Sequence, residues 1–136
     1  MILFLVILVL SLSNAQANTT YDFTIKEVYD GDTIKIKETY LNTLPLSVRI
    51  RGIDTPEKSY RAKCTSEKKL ASKATKKLKN IIKESDIIYY KNVSWDKYGG
   101  RILADMYNKK GNIADQMIES GLARRYNGGK KKGWCD

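Results

Sequence analysis

Two short stretches concentrate carboxylates where the chain must turn: Asp30-Gly-Asp-Thr33 and Asp54-Thr-Pro-Glu57. Asp32, Asp54 and a carbonyl near Pro56 are the makings of a small oxygen cage, which suits a hard divalent cation such as calcium. Arg49 precedes Asp54 on the same stretch of chain and brings a forked guanidinium, which meets two phosphate oxygens at once. Each piece alone is ordinary, because Asp-Gly turns are common and Asp-Thr-Pro caps its own backbone. Taken with a net charge of +10, the set points to phosphate chemistry. A five-coordinate phosphorane is doubly negative and needs compensating cations.

The 136 residues contain no histidine. Ser-His-Asp and Cys-His catalysis are excluded, as are paired-histidine ribonuclease chemistry and histidine-based zinc or iron sites. Acid–base work falls to carboxylates, lysine or tyrosine, and any metal must accept oxygen ligands.

The elements that must position these groups are legible from periodicity. Residues 22–28 alternate loosely as a strand. Thr33 to Lys37 and Ser47 to Arg51 alternate with period two, so that Val48 and Ile50 face one side and Arg49 and Arg51 the other. Short connections predict an antiparallel meander, with a loop through Asn42 and Pro45 between the second and third strands. That hairpin sets the start of the second strand beside the end of the third, so the two acidic loops meet at one end of the sheet. From Ser66 to Lys83, Leu70, Ala71, Ala74, Leu78, Ile81 and Ile82 recur at helical spacing under a lysine-coated outer face. Strands follow at 87–93 and 101–107, split by a turn at Gly99-Gly100. A short helix runs from an Asn112 N-cap to a Gly121 stop, burying Ile113, Met117 and Ile118. Five strands with a helix before the fourth predict an α+β fold around a small, closed or nearly closed barrel of the OB type.

Residues 2–12 are apolar apart from Ser11 and lead to Ala15-Gln-Ala17. The pattern predicts a cleaved secretory leader over 1–17, with Ala15 the rival cleavage point and a retained lipid-facing anchor the alternative. Residues 18–136 then form a single domain, expected as a monomer. An exported chain meets oxidising conditions. Cys64 and Cys135 allow one intramolecular pair, whose closure would stabilise by roughly 4 kcal/mol on the chain-entropy account; the other reading is two free thiols.

Three segments carry a family resemblance: Val28-Tyr-Asp-Gly-Asp-Thr-Ile34, Val48-Arg-Ile-Arg-Gly-Ile-Asp-Thr-Pro-Glu57 and Asp96-Lys-Tyr-Gly-Gly-Arg-Ile-Leu-Ala104. They resemble, in order, the signature segments of staphylococcal nuclease (thermonuclease-like) domains, and the likeness continues through Met117-Ile-Glu-Ser-Gly-Leu-Ala123. The resemblance implies that Asp32, Asp54 and the backbone carbonyl of Thr55 hold one calcium ion. It implies that Glu57 orients and deprotonates the attacking water, that Arg49 and Arg101 grip the scissile phosphate, and that Asp30 supports them from behind. Lys97 and Tyr98 match positions bordering a nucleotide pocket, and Tyr126 is placed to stack on a base. The implied activity is cleavage of DNA and RNA to products ending in 3′-phosphate, in a periplasm or outside the cell. Affinity would rest on backbone charge and fall with salt.

The chain departs from the family pattern in two places. Gly99-Gly100 adds a residue ahead of Arg101, and Gly128-Gly-Lys-Lys-Lys-Gly-Trp-Cys135 stands where larger members carry a third helix. The ending is similar to a short exported branch, in which Trp-Cys pins the tail to Cys64. Lys130 to Lys132 either track phosphates or form a solvated tail. Two rival readings are a catalytically silent nucleic-acid-binding OB module and a secreted cationic membrane-active protein. The first lacks metal and arginine residues that this chain keeps. The second needs a helix with a free apolar face, whereas stable membrane contact after leader removal is not expected here.

Overall fold

A computed structural model describes residues 23–37, 46–97 and 100–135. The leader, the loop through Asn42 and Pro45, and Tyr98 lie outside the described residues.

The alternating segments form the expected meander. Strands β1 (Thr24–Val28), β2 (Thr33–Lys37) and β3 (Leu46–Ile50) pair antiparallel in sequence order. Ile34, Ile36, Val48 and Ile50 are buried on the inner face. At the far end of this hairpin the Ile50 N–H donates to the Asp32 carbonyl at 2.8 Å. Both acidic loops therefore leave the sheet from adjoining points.

The chain continues through β4 (Ile53–Asp54), a 3-10 turn at Ser59–Arg61, and helix α1 (Thr65–Lys83). It then forms β5 (Tyr89–Trp95), β6 (Arg101–Asn108), β7 (Gly111–Asn112), α2 (Ile113–Glu119) and β8 (Arg124–Arg125). The main sheet runs β1-β2-β3-β6-β5, with β7 alongside β6, while β4 and β8 form a separate two-stranded ladder. The parallel β3–β6 pairing sets Ser47 opposite Arg101 and Arg49 opposite Leu103. Cross-strand partners share a face, so Arg49 and Arg101 stand on the same outer face of neighbouring strands.

The sheet curls into a half-barrel of an α+β fold. Among the described residues no hydrogen-bonded pairing joins β1 to β5. Side chains approach there instead, with the rings of Phe23 and Tyr90 meeting edge to face at 4.9 Å. The fourth strand begins two residues later than expected, because the Ser85–Ile88 connection leaving α1 keeps Ile87 exposed.

Helix α1 spends Ala74, Leu78 and Ile81 on the core shared with the sheet, and Ala71 on the same face is also buried. No free apolar stripe remains opposite its lysines, and no helix among the described residues is long and apolar enough to cross a membrane. The helix comes very close to the first acidic turn. A Cβ at Gly31 would lie 2.7 Å from that of Ala74 and 3.1 Å from Thr55, so only glycine lets α1 and both loops meet. Asn112 caps α2 by accepting from the Ala114 N–H at 2.8 Å, and Gly121 leaves it at φ 77°, as the capping pattern predicts.

Candidate active site

Asp32 enters β2 with its carboxylate fully engaged. One oxygen accepts from the Thr33 hydroxyl at 2.8 Å and the other from the Thr55 hydroxyl at 3.1 Å. The second bond stitches one acidic loop to the other. It is the Thr55 side chain whose partner is seen, whereas the resemblance implied a role for its carbonyl. Arg49 brings its guanidinium to 3.6 Å from Asp32 and donates to the Ile53 carbonyl at 3.0 Å. Its position is thus fixed from two sides, with Asp32, Arg49, Asp54 and Thr55 all buried.

Asp54 lies on β4, paired across the ladder with Arg124. Glu57, half-buried, follows Pro56, and its backbone N–H donates to the carboxylate of Glu67 at 3.0 Å. Glu67 itself is buried in the first turn of α1 and also accepts from the Lys63 N–H at 2.9 Å. Sequence reasoning missed this residue. An acidic residue at the third helical position is an ordinary capping choice, and nothing local announces that it anchors Glu57.

Asp30 accepts the Asp32 N–H at 3.0 Å. Burial, and then the negative charge of Asp32, push the Asp30 carboxyl up to about 7. The fold therefore takes up a proton there, and the stability tied to that proton is present at low pH and lost as pH rises from 3.8 towards 7. An Asp30→Asn protein unfolded thermally in chelator should gain on the wild type as pH goes from 5 to about 8. A gain that is equal at both pH values would contradict this.

Arg101, entering β6, is held by Asp96 through Nε at 2.8 Å and Nη2 at 2.5 Å. Burial works to raise the Asp96 carboxyl. The bond and charge of Arg101, aided by the Lys97 N–H and Arg49, win and hold it below the ordinary carboxylate range. Arg101 and Arg49 line one cavity of about 490 Å³ together with Trp95, Lys97, Tyr126 and Lys131. Tyr126 lies beneath the Arg49 guanidinium, 5.9 Å from it to the ring centre. The extra glycine before β6 does not displace Arg101 from this cavity.

Trp95, which the sequence did not single out, and Lys131, left open between phosphate track and solvated tail, both join the site. Trp95 is 66% exposed at the end of β5. Lys131 reaches back from the tail to 3.3 Å from Asp54 and 3.9 Å from Glu57. The tail is tied down by the Cys64–Cys135 disulfide, spanning 71 positions, so the two thiols are not free.

The arrangement suits a hard cation. The Thr55–Asp32 bond draws the two acidic turns together, and the Lys131 ammonium sits against Asp54 and Glu57. No group of three or more His, Cys, Asp or Glu is gathered closely enough to hold a metal among the described residues. Asp32 and Asp54, buried on the two acidic loops, are the carboxylates that could hold a hard cation together with backbone, water and substrate oxygens.

The family described as staphylococcal nuclease homologues matches residues 47–133, well over half of the chain. The protein belongs to that family. It is 31% identical over 128 residues to a Haemophilus influenzae protein named "Uncharacterized endonuclease", covering 91% of this chain and 61% of that one. It is 28% identical over 116 residues to "Endonuclease YhcR" of Bacillus subtilis, covering 81% of this chain and 9% of that protein. The chain therefore spans about three-fifths of the first relative's length and under a tenth of the second's.

Proposed function

We propose that the protein is an exported, calcium-dependent nuclease that hydrolyses phosphodiester bonds of DNA and RNA with low sequence specificity, leaving 3′-phosphate ends. The observation that carries the reading is the convergence of both acidic loops, through the Thr55–Asp32 bond, beside two anchored guanidinium groups. The endonuclease names of the two relatives support it.

The residues divide the work as follows. Arg49 and Arg101 meet the non-bridging oxygens of the scissile phosphate and offset the charge that grows in the transition state. Each is preset by a carboxylate partner, so little reorganisation is needed when substrate arrives. Asp32, Asp54 and the Thr55 carbonyl would hold a calcium ion, which when bound would supply Lewis acidity and a template for the attacking water. Glu57 takes that water's proton as the new P–O bond forms and the bond from phosphorus to the 5′-oxygen breaks, and the 5′-oxygen takes a proton from solvent to leave as a hydroxyl. The phosphate stays on the 3′ side. Arg49, Lys97 and Arg101 in the cavity supply charge for the phosphate backbone, which carries no sequence information, in keeping with low specificity. Export accords with the disulfide, since such bonds persist in oxidising compartments.

The end chemistry is the test. Fragments of a 5′-labelled oligonucleotide should shift in mobility after a 3′-phosphatase. Fragments that instead accept extension by a polymerase without that treatment would carry 3′-hydroxyls and sink the reading.

Trp95 adds a stacking surface on the rim of the cavity. Every nucleobase has a π-face, so such a ring holds single strands without reading them. Trp95→Ala should raise KM for a single-stranded substrate about 5- to 100-fold, with kcat little changed. Steady-state kinetics would show this, and an unchanged KM would remove the stacking role.

A further inference from the structure

The tail touches the acidic site at more points than are needed to hold a tail down. Trp134 is only 9% exposed, and its indole Nε1–H donates to Oδ2 of Asp54 at 3.2 Å, a residue 80 positions earlier. Arg124, the cross-strand partner of Asp54, lies over the indole at 3.8 Å and donates to the Gly133 carbonyl at 2.7 Å. Lys131 faces the other Asp54 oxygen, Oδ1. Cys135, which follows Trp134, is bonded to Cys64, the N-cap of α1. Both oxygens of Asp54 therefore answer to a segment that no signature motif includes.

We propose that Trp134 is a positioning residue for Asp54, its indole N–H holding one carboxylate oxygen so that the other, which Lys131 faces, is presented to a bound cation once that ammonium turns aside. The inference rests on Asp54 being a cation ligand, and extends the site to the C-terminal strap. An indole N–H suits the task because it only donates and never competes for the metal. A donor behind a ligating carboxylate fixes the plane of the group, and losing such a donor characteristically weakens metal binding. The disulfide and the Arg124 stack keep the indole in place before any cation arrives, so its ordering is not charged against binding.

The competing view is that Trp134 is an apolar plug. Trp134→Phe separates the two, since it keeps an aromatic ring and removes the N–H. Calcium binding to the disulfide-bonded protein, without nucleic acid, would be measured by calorimetry for the wild type, Trp134→Phe and Asp54→Asn. The expected result is a Kd about 10-fold weaker for Trp134→Phe, with unfolding in chelator little altered, and binding lost in Asp54→Asn. In the wild type itself, the indole N–H resonance that Trp134→Phe deletes should move as calcium is added. A wild-type Kd in Trp134→Phe, or a resonance indifferent to calcium, overturns the inference while leaving Asp54 as a ligand. Wild-type binding in Asp54→Asn would instead remove the calcium reading, and this inference with it.

Discussion

Glu57→Gln should lower kcat by about 10²- to 10⁴-fold, the range set by removing a positioned general base. Asp32 and Asp54 are the proposed cation ligands, and each is already engaged by neighbours, Asp32 by Thr33 and Thr55 and Asp54 by Trp134, so neither is placed to take a proton. Glu57 meets the Lys131 ammonium at a longer 3.9 Å, and the chain holds no histidine to take its place. Its backbone is meanwhile pinned by Glu67, so the side chain swings from a fixed point. Glutamine keeps size and shape and loses only the capacity to accept a proton. Single-turnover cleavage at saturating enzyme reads the chemical step directly. Retention of activity within a few-fold would give the base role to another group.

Arg101→Ala should cost about 10²- to 10³-fold, again mainly in kcat, as expected for a donor aimed at developing charge. Two nitrogens of Arg101 face Asp96, which fixes the plane of the fork along the cavity that Arg49 also lines. Arg101→Lys should recover only a small part of the loss, because a single ammonium cannot reproduce the planar, forked geometry. The variant should bind single strands nearly as well as wild type in calcium. A change confined to KM would recast Arg101 as a simple backbone contact.

The parts legible in the sequence were those encoded locally. Period-two alternation placed Val48 and Ile50 inside and Arg49 outside, and hairpin logic brought Asp32 beside the end of β3, where the Ile50–Asp32 hydrogen bond now lies. Helical spacing marked the buried face of α1, and cap chemistry marked the start of α2 at Asn112. What stayed hidden was pairing between distant segments. The parallel β3–β6 ladder that aligns Arg101 with Arg49, and the β4–β8 pair that sets Arg124 against Asp54, have no local pattern to betray them. A two-residue strand is too short for periodicity to mark. The same holds for the tail. Lys130 to Lys132 were open between a phosphate track and a solvated end, and only the fold shows Lys131 against Asp54 and Glu57. Trp134 was a neighbour of a cysteine until the fold gave its N–H an acceptor. Glu67 hides for a similar reason, since the helix start accounts for it before Glu57 is considered.

The most direct test of the convergent acidic loops and paired guanidiniums is digestion of supercoiled plasmid and of RNA by the disulfide-bonded protein, first in calcium and then in excess chelator. Both substrates should be degraded in calcium and left intact in chelator, with activity restored when calcium is returned. Equal digestion in chelator would contradict the cation's place between Asp32 and Asp54, and intact nucleic acid under both conditions would contradict the nuclease itself.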